Sequence, residues 1–341
     1  MLLVQVLLSP RIGGAESLAD ALSSEWLREG VSSNVIYLDD GHQKSSRLNR
    51  IIRLRRKLKS IRPDAIVAHS ALPNIYSRLA SPRRVPVIAV MHSASDDFAS
   101  PFSRIIERAL RLRHPQVVAV SDGQASSYVR HFPDLGVPRV IPNGIREDLP
   151  TKSTYAPAPR VVITMARVTH QKDPQLWVDT ARILAQTDPD MSLVWWGPVT
   201  ADPDISALVA EQKRSESPGR FLGPTSYVPD ELLGADIFFH PSAKEAHSVA
   251  ILEAAAVGLP IVCSSDVAAT IHGDLVSIMF DPRSASSAAS ALSEVAANWA
   301  RYTSDRTEVS RYVRSRFGMA RCAATYLGLV RSLLRVGSSQ R

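Results

Sequence analysis

Cysteine and long apolar runs are scarce in this sequence of 341 residues. The two cysteines, Cys263 and Cys322, lack the spacing of metal ligands and cannot build a disulfide framework. No stretch approaches the roughly 20 apolar residues that a membrane-spanning helix needs. The apolar start, Met1–Leu8, has no basic segment before it and is interrupted by Gln5, so it predicts a buried strand and not a signal peptide. We therefore expect a cytoplasmic chain whose cysteines are buried free thiols.

Acidic residues are outnumbered, with 33 Asp and Glu against 40 Lys and Arg, and the formal net charge is +7. This balance favours anionic partners, and a nucleotide, an anionic membrane surface or a nucleic acid would each satisfy it. Nine basic residues and no acid lie at positions 43–62, where apolar residues follow a helical period: Leu48, Ile51, Leu54, Leu58 and Ile61. The segment predicts either a sheet-covering helix with a solvated basic face or a helix that rests on anionic lipid. Nucleic-acid binding is disfavoured, since no aromatic platform or reader motif accompanies the basic residues.

Short apolar runs rich in valine and isoleucine alternate with longer stretches of helical period along the whole chain. Near-continuous apolar strands separated by helices are typical of parallel sheets covered on both faces. In the first half the predicted strands are Leu2–Leu8, Val35–Leu38, Ala65–Ala68, Val87–Met91 and Val117–Val120. In the second half they are Val161–Met165, Leu193–Trp196, Ile237–Phe239 and Ile261–Cys263. The pattern predicts an α/β protein with two doubly wound parallel-sheet domains in tandem.

The series of strands is interrupted at residues 146–159, which are polar and rich in proline. This composition is typical of an interdomain linker, and a fresh apolar strand begins after it at Arg160. We therefore predict an N-terminal domain at residues 1–148 and a C-terminal domain at residues 149–318. Because doubly wound sheets bind ligands at the carboxyl ends of their strands, the cleft between the two domains is the predicted active site.

Two glutamates eight positions apart, Glu245 and Glu253, flank the start of a predicted helix, Val249–Val257. The free N–H groups of a helix that begins near Ser248 suit a diphosphate. Glu253 lies one turn deeper on the face of Val249, where a carboxylate can accept hydrogen bonds from both hydroxyls of a ribose. Glu245 then faces the sugar beyond the phosphates. An ionised carboxylate in an otherwise apolar helix is costly unless a specific partner holds it, which favours a functional role for Glu253.

This pattern resembles the Glu-x7-Glu signature of the retaining glycosyltransferases of family 4, which have the GT-B fold. Four further segments resemble that family in the same order along the chain: Ile12-Gly13-Gly14-Ala15-Glu16, Val140-Ile-Pro-Asn-Gly-Ile145, Met165-Ala-Arg167-Val-Thr-His-Gln-Lys172, and Phe221-Leu-Gly223 with Ala235-Asp236 and His240-Pro241-Ser242. The resemblance covers nearly the whole chain. It implies two Rossmann-like domains that face a central cleft, the first for the acceptor and the second for the nucleotide-sugar donor. It also implies that a C-terminal helix, about residues 319–336, packs back on the first domain.

The resemblance assigns roles to side chains beyond the two glutamates. Arg167 and Lys172 match an Arg-x4-Lys clamp that holds the donor diphosphate. Gly13 and Gly14 match a loop whose backbone approaches the phosphates from the opposite side of the cleft. That glycine pair lacks the G-x-G-x-x-G spacing of a dinucleotide site, which disfavours a nicotinamide enzyme. His92 ends a predicted strand where the family often has a histidine that contacts the transferring sugar.

The chain departs from the family pattern at a few of these positions. Ser93 follows His92 where the family commonly has an aspartate, and Ala246 and Ser248 replace common glycines. Their small side chains still permit a sugar to approach the loop. His247 is predicted to line the sugar pocket and not to act as a base. The predicted catalytic residues are His92, Glu245, Arg167 and Lys172, and the predicted donor-binding residues are Gly13, Gly14, Arg167, Lys172, Glu245, His247, Ser248, Val249 and Glu253.

Two acidic pairs, Asp39-Asp40 and Asp96-Asp97, are candidates for a metal site. No Asp-x-Asp motif follows a strand in the manner of a metal–nucleotide clamp, and the Asp-Pro-Asp sequences at 188–190 and 202–204 are typical of loop turns. Because two cations of the clamp already neutralise the phosphates, we predict that the protein needs no metal and no other cofactor.

The sequence therefore predicts a glycosyltransferase that moves a hexose-type sugar from a UDP- or GDP-sugar with retention of configuration. The predicted acceptor is a glycan, a lipid-linked molecule or a small molecule, in the synthesis of a cell-surface polysaccharide or glycoconjugate. No residue resembles a committed covalent nucleophile. Two alternatives stay open: a sugar-nucleotide epimerase of the same fold, which needs no acceptor, and a non-catalytic partner subunit, which is expected to have lost the clamp.

Overall fold

The computed structural model describes residues 1–10, 14–39, 46–82, 84–93, 97–214, 219–271 and 273–339. The chain divides into two compact units: unit 1 consists of Met1–Gly144 and Phe317–Arg341, and unit 2 consists of Ile145–Arg316. Each unit contains a six-stranded sheet in which all neighbouring strands run parallel. The predicted pair of Rossmann-like α/β units is therefore confirmed.

In unit 1 the strand order is β2-β1-β3-β4-β5-β6, so the order reverses between β1 and β3. The strands are β1 (Leu2–Leu7), β2 (Ser32–Tyr37), β3 (Ala65–His69), β4 (Val87–Val90), β5 (Val117–Ala119) and β6 (Arg139–Val140). The helices are α1 (Gly14–Arg28), α2 (Arg47–Ile61), α3 (Ala71–Ala80), α4 (Pro101–Arg111), α5 (Asp122–His131) and, from the end of the chain, α14 (Met319–Ser339). The reversal makes the carboxyl ends of β1 and β3 the expected ligand position in this unit.

In unit 2 the strand order is β12-β11-β10-β7-β8-β9, with the reversal between β7 and β10. The strands are β7 (Val161–Met165), β8 (Ser192–Trp196), β9 (Gly219–Gly223), β10 (Ile237–His240), β11 (Ile261–Ser264) and β12 (Ile278–Phe280). The helices are α6 (Pro174–Thr187), α7 (Pro203–Arg214), α8 (Val228–Gly234), α9 (Val249–Val257), α10 (Ser265–Ala268), α11 (Ala285–Ala297), α12 (Trp299–Thr303) and α13 (Arg306–Phe317). Two 3₁₀ turns, His170–Lys172 and Gly273–Leu275, precede α6 and follow α10, respectively.

Several central strands are buried along their whole length, as is typical of parallel strands covered on both faces. All residues of β3, β4, β10 and β11 are buried. In unit 2 the core also contains three large aromatic rings, Trp177, Trp195 and Phe221, whose centroids lie 4.9 to 5.5 Å apart. The sheet of unit 2 is therefore supported by a tightly packed apolar layer.

All nine predicted strands are present, and the structure adds three that the sequence pattern did not indicate. These are β6, β9 and β12, and each lies at the edge of its sheet. The first has two residues, the second begins and ends with glycine, and Met279 of the third is 58% exposed. An edge strand is covered less completely than a central one, so it has no continuous apolar run to reveal it.

The segment at residues 146–159 is not a free linker. The chain passes from unit 1 to unit 2 at Gly144–Ile145, and the polar segment that follows is bound to unit 2. Lys152 contacts Asp236 at 3.2 Å, and the Tyr155 hydroxyl donates to the carbonyl oxygen of Gly258 at 2.8 Å. Polar, proline-rich composition indicated the lack of regular structure correctly, but it could not reveal these individual contacts.

The predicted basic helix is α2, with Ser46 as its N-cap; residues 43–45 lie outside the described residues. Leu54 and Leu58 are buried against the sheet, and Ile51 and Ile61 are partly buried in the same core. Leu48 was predicted in this apolar stripe, but its side chain is 65% exposed. Leu48 lies in the first turn of α2, which does not pack against the sheet. The apolar stripe predicted from the helical period is therefore one turn longer than the buried stripe.

The last helix, α14, packs against α1 in unit 1. The Trp26 indole donates to the carbonyl oxygen of Ala323 at 3.1 Å, and its ring meets that of Tyr326 edge-on at 6.5 Å. Cys322 on this helix and Cys263 on β11 are both buried and free. Within the described residues, no helix is both long enough and apolar enough to cross a membrane.

Candidate functional site

The switch point of unit 2 brings two distant loops together. Strands β7 and β10 are neighbours in the sheet, with Ile163 in register with Phe238, although 75 positions separate these residues in the sequence. The Thr164 hydroxyl at the end of β7 donates to the carbonyl oxygen of Phe239 at 2.7 Å. The loops that leave β7 and β10 therefore start side by side, and they carry the predicted residues Lys172 and Glu245.

Lys172 and Glu245 form an ion pair between Nζ and Oε1. Lys172 ends the 3₁₀ turn after β7, and Asp173 follows it in the left-handed conformation with φ of 48°. The Asp173 carboxylate accepts the N–H of Leu176 at 3.0 Å and so caps α6. This cap fixes the direction of the loop that carries Lys172. The predicted cation and the predicted sugar-facing acid are thus in direct contact.

His240 is a further member of this cluster that the predicted site lacked. It is the last residue of β10, it is completely buried, and its Nε2 lies 3.2 Å from Oε1 of Glu245. Because a carboxylate oxygen only accepts, Nε2 carries the proton of this hydrogen bond. Burial lowers the pKa of His240, so the ring is neutral. In the sequence, His240 was part of the segment His240-Pro241-Ser242 that resembles the family. That resemblance did not indicate its contact with Glu245.

Glu245 is ionised, and only one of its oxygens is occupied within the described residues. Burial raises its pKa, but the hydrogen bond from His240 and the charge of Lys172 outweigh that effect and lower the pKa to about 2. Both partners contact Oε1. Oε2 has no hydrogen-bond partner among the described residues, so the carboxylate can accept one more hydrogen bond there.

The start of α9 offers unsatisfied backbone donors next to Glu245. Ser248 is the N-cap, and its hydroxyl accepts the N–H of Ile251 at a long distance of 3.5 Å. The N–H groups of Val249 and Ala250 have no acceptor among the described residues. Since the first N–H groups of a helix have no partner inside it, they carry partial positive charge and suit an anion.

Glu253 lies one turn into α9, where it is partly exposed among buried neighbours. Burial raises its pKa to about 7, although the charge and the backbone N–H of Arg146 act in the opposite direction. The Arg146 guanidinium is turned to Asp148, which it binds through two hydrogen bonds of 2.5 and 2.7 Å. The sequence predicted that an ionised carboxylate is unfavourable in this apolar helix, and the raised pKa agrees with that prediction. The contact with Arg146 was not predicted.

Two other predicted residues of unit 2 have different surroundings. Arg167 lies two positions after β7 and is exposed, with no ion pair or hydrogen bond to a described residue. Close beside it, Gly197 packs against the β7 loop so tightly that an added Cβ would lie 1.8 Å from the carbonyl oxygen of Ala166. His247 is 7% exposed, within the loop between Glu245 and α9. The structure thus groups Lys172, Glu245 and the start of α9, and it leaves Arg167 extended into solvent.

The predicted residues of unit 1 are described in part. Gly13 lies outside the described residues, and Gly14 is the first residue of α1. An added Cβ at Gly14 would meet no atom within 4 Å, so packing within the chain does not require a glycine there. His92 follows β4 and is partly exposed, and its Nε2 lies 3.0 Å from Nδ1 of His69. Burial lowers the pKa of His92 to about 4, which leaves the ring neutral at physiological pH.

One group of side chains has the spacing of a metal site within the described residues. The possible ligand atoms of His170, Asp202 and Asp204 all lie within 4.8 Å of one another. The side chain of His170 is 67% exposed, and its Nε2 lies 3.2 Å from Oδ2 of Asp202. The other carboxylate oxygen of Asp202, Oδ1, accepts the N–H groups of Asp204 and Ile205 at the start of α7. The capping bonds explain this Asp-Pro-Asp turn without a metal. Of the two predicted acidic pairs, Asp40 and Asp96 lie outside the described residues.

The fold and the site together define a class of protein. Two doubly wound parallel sheets, with a cation–carboxylate pair and open helix N–H groups at a switch point, are typical of α/β proteins that bind phosphorylated ligands. Residues 12–149 match the family described as Glycosyltransferase Family 4, and residues 159–298 match Glycosyl transferases group 1. These two matches cover most of the chain, and the chain therefore belongs to this glycosyltransferase family.

Individual relatives are similar over part of the chain. Lipopolysaccharide core biosynthesis mannosyltransferase LpsB of Rhizobium meliloti (strain 1021) is 29% identical over 202 residues, which cover 54% of this chain and 54% of that protein. D-inositol 3-phosphate glycosyltransferase of Corynebacterium glutamicum (strain R) is 28% identical over 214 residues, with coverage of 53% and 50%. The chain spans about half the length of these curated relatives. Among solved structures, Anabaena Alr3699/HepE in complex with UDP-glucose has a TM-score of 0.78 at 18% identity, covering 97% of this chain and all of that one, which shows the GT-B fold.

Proposed function

We propose that the protein is a retaining glycosyltransferase that moves a hexose-type sugar from a UDP- or GDP-sugar to a glycan, lipid-linked or small-molecule acceptor. The observation that carries the proposal is the contact of Lys172 with Glu245 across the β7–β10 switch point, beside the open N–H groups of α9. A cation, a carboxylate with one free oxygen and helix N–H donors are what a diphosphate joined to a hydroxyl-rich sugar requires.

Each group of unit 2 has a separate task in this proposal. Lys172 and the exposed Arg167 bind the diphosphate and stabilise the charge that develops on it. The N–H groups of Val249 and Ala250 donate to the same phosphates. Glu253 accepts hydrogen bonds from the ribose hydroxyls, and Oε2 of Glu245 accepts one from the sugar. His247 lines the sugar pocket. Acceptor binding is assigned to unit 1, where His92 and Gly14 are the candidate ligand-contacting residues.

The reaction exchanges one bond of the anomeric carbon for another. The bond from this carbon to the β-phosphate oxygen breaks, and a bond to the acceptor oxygen forms on the same face of the sugar. The acceptor hydroxyl proton passes to the departing diphosphate, so no protein nucleophile is needed. Lys172 lowers the energy of the transition state because negative charge grows on the leaving oxygen. Since these cations neutralise the leaving group, we propose that transfer proceeds without a metal.

The named relatives support a sugar-nucleotide donor without identifying it. One is named as a mannosyltransferase of lipopolysaccharide core biosynthesis and another as a D-inositol 3-phosphate glycosyltransferase. The similar solved structure contains UDP-glucose. These names are consistent with a role in the synthesis of a cell-surface polysaccharide or glycoconjugate, and a cytoplasmic location remains part of the proposal.

A donor screen followed by product analysis tests this proposal. Thermal unfolding with UDP-, GDP- and ADP-sugars identifies the donor, because a ligand that binds only the folded state raises the Tm once its concentration exceeds Kd. Proton NMR of the reaction with an acceptor then gives the anomeric configuration. We expect a product with the configuration of the donor, formed equally well with EDTA present. A product of inverted configuration would contradict the retaining mechanism. Activity that disappears with EDTA would contradict metal independence.

The same reaction mixture separates the alternatives. A sugar-nucleotide epimerase converts the donor to a new sugar nucleotide without any acceptor, and a non-catalytic subunit leaves every donor unchanged. The ionised Glu245 favours transfer over the subunit hypothesis, because its partners Lys172 and His240 both contact Oε1 and leave Oε2 able to accept a hydrogen bond from a ligand.

We also propose that unit 1 contacts an anionic membrane surface through α2. Leu54 and Leu58 are buried against the sheet, while six exposed basic residues lie along the rest of the helix and its end: Arg47, Arg53, Arg56, Lys57, Lys59 and Arg62. The exposed Leu48 and Ile52 add apolar surface beside these charges. Clusters of four to eight basic residues bind anionic lipids at about 1 kcal/mol per residue near the surface.

Vesicle flotation tests this contact. The triple variant Arg56→Glu, Lys57→Glu and Lys59→Glu is compared with a control of equal charge change in unit 2, Lys213→Glu, Arg214→Glu and Arg220→Glu, whose residues are also exposed. With vesicles of phosphatidylglycerol and phosphatidylcholine, we expect the wild type and the control to float and the α2 variant to stay in solution. Equal flotation of all three proteins would exclude α2 as the binding surface.

A further inference from the structure

A chain of hydrogen bonds joins four polar side chains beneath α1 in unit 1. Gln5 Nε2 donates to the carbonyl oxygen of Ala19 at 2.7 Å and to Ser23 Oγ at 2.8 Å. Gln5 Oε1 lies 3.0 Å from His69 Nε2, and His69 Nδ1 lies 3.0 Å from His92 Nε2. Gln5 and His69 are completely buried, with exposures of 0% and 1%.

The register of the sheet places these side chains in a row. Gln5 on β1 is opposite Val67 on β3, and His69 is two residues further along on the same face. His69 is in turn opposite Val90 on β4, and His92 lies two residues beyond it. Because side chains two positions apart in a strand share a face, each step leads toward the carboxyl edge of the sheet. The row starts in the core and ends at the partly exposed His92.

The protons in this row can be assigned from its buried end. The carbonyl oxygen of Ala19 only accepts, so it fixes the amide nitrogen of Gln5 on its side and directs Oε1 to His69. His69 must therefore donate through Nε2. Burial, followed by the neighbouring His92, lowers the pKa of His69 well below its ordinary value, so its ring is neutral and Nδ1 carries no proton. Consequently the Nε2 of His92 donates to His69.

We propose that His69 is a positioning residue which, held by Gln5, keeps His92 in the Nε2–H tautomer and leaves Nδ1 of His92 as an acceptor for a sugar hydroxyl. A ring held in this way accepts a hydrogen bond from a ligand and does not donate one. His92 therefore binds and orients a hydroxyl group and is not a general acid. The identity of that hydroxyl rests on the proposed function, whereas the tautomer does not.

Nitrogen NMR of the unliganded full chain tests the tautomer directly. Long-range proton–nitrogen correlation of protein labelled with ¹⁵N-histidine distinguishes protonated from bare ring nitrogens, and His92→Asn and His69→Asn identify the two rings by their missing signals. We expect both rings as neutral Nε2–H tautomers. An Nδ1–H tautomer or an imidazolium at His92 of the wild type would overturn the proposal.

Two substitutions at His69 test whether this residue fixes the tautomer. His69→Asn places a carbonyl oxygen near the position of Nδ1, so His92 should stay Nε2–H and donor kcat/KM should fall less than about threefold. His69→Leu removes the acceptor, so the His92 signals should move toward a mixture of tautomers and kcat/KM should fall about tenfold or more. An unchanged His92 tautomer in His69→Leu would overturn the positioning role.

The two measurements also separate this inference from the proposed function. If the tautomer follows His69 as expected but no donor is turned over by the wild type, the proposed function fails and the positioning role stands. If sugar transfer is observed but the tautomer does not depend on His69, the positioning role fails and the proposed function stands.

Discussion

Units 1 and 2 each contain a buried cation–carboxylate pair, and their surroundings differ. In unit 1 Arg78 contacts Glu107 at 2.9 Å, with 3% and 5% of the side chains exposed. The Tyr128 hydroxyl donates to the other oxygen of Glu107 at 2.8 Å, so both oxygens are occupied. In unit 2 Lys172 and His240 share one oxygen of Glu245, and the side chains of the pair are 18% and 10% exposed.

We propose that this difference separates a structural pair in unit 1 from a ligand-binding pair in unit 2. The pair of unit 1 joins α3 and α4, and Tyr128 adds α5, so it holds three helices and has no oxygen left for a ligand. The pair of unit 2 holds two loops and keeps one carboxylate oxygen open. A buried charge by itself therefore does not indicate an active site. We propose that the distinguishing feature is a carboxylate at a switch point with an oxygen still able to accept a hydrogen bond from a ligand.

The largest effect is expected from removal of either member of the unit 2 pair. Lys172→Ala and Glu245→Ala should each lower donor turnover by a factor of about 100 or more, since one charged partner of the reacting groups is lost. Their stability should change by much less than that of variants in the unit 1 pair. Steady-state kinetics and urea unfolding give both quantities, with the exposed Lys213→Ala as control. Turnover within threefold of the wild type would contradict the catalytic assignment.

In unit 1 we expect a large effect on stability and no effect on turnover. Glu107→Gln leaves Arg78 buried without a counter-charge, which should lower the free energy of unfolding by about 3–5 kcal/mol, with turnover per folded molecule unchanged. Adding Arg78→Met should recover much of the loss, because the unpaired charge is then gone. Urea unfolding of the two singles and the double variant measures the coupling. Additive losses would show that the two side chains do not act as a pair.

A smaller effect is expected at Gly197, which supports the loop of Arg167. Its φ is 152°, and an added Cβ would lie 1.8 Å from the carbonyl oxygen of Ala166 and 3.2 Å from the backbone nitrogen of Arg167. Gly197→Ala should lower the free energy of unfolding by about 1–3 kcal/mol through backbone strain and should also reduce donor affinity. Gly328→Ala is the control, since its Cβ meets no atom within 4 Å in α14 and should stabilise the helix by up to about 1 kcal/mol.

The smallest effect concerns the pH dependence of Glu253. Burial raises its pKa to about 7, from an ordinary value of 4.5, so the folded state holds a proton that the unfolded state releases. Its contribution to stability is present below pH 4.5 and is lost as the pH rises through about 7. Between pH 5 and 8 the Tm of the wild type should fall more than that of Glu253→Gln.

Donor affinity should change in the opposite direction over the same range. In the proposed site the ionised carboxylate of Glu253 accepts both ribose hydroxyls, so we expect affinity for the donor to rise by less than about tenfold from pH 6 to pH 8. Glu253→Gln should remove this rise. Calorimetric titration at several pH values checks it, and the same pH profile in both proteins would exclude Glu253 from ribose binding.

Much of the fold could be predicted because parallel strands in the centre of a sheet need continuous apolar runs. Strands such as β3 and β10 have this signal, while the edge strands β6 and β12 do not. The segment that carries Lys152 and Tyr155 appeared to be a linker because individual hydrogen bonds to unit 2 leave no trace in composition.

The sequence indicated only part of the side-chain cluster around Lys172 and Glu245. Glu245, Glu253 and Lys172 follow strands or begin a helix in a pattern that a sequence can show. The contacts of Glu253 with Arg146 and of Glu245 with His240 depend on which loops the sheet order brings together. The partnership of Gln5 with His69 depends on strand register, which one sequence does not reveal.

Calorimetric titration of three proteins with two ligands tests the central claim most directly. The wild type, Lys172→Ala and Glu245→Ala are each titrated with the nucleoside diphosphate and with its sugar form, using the nucleotide that the donor screen selects. We predict that Lys172→Ala weakens binding of both ligands, because it removes a phosphate contact. Glu245→Ala should weaken binding of the sugar form only. Equal loss for both ligands in Glu245→Ala, or no loss in Lys172→Ala, would contradict the assignment of Glu245 to the sugar and Lys172 to the diphosphate.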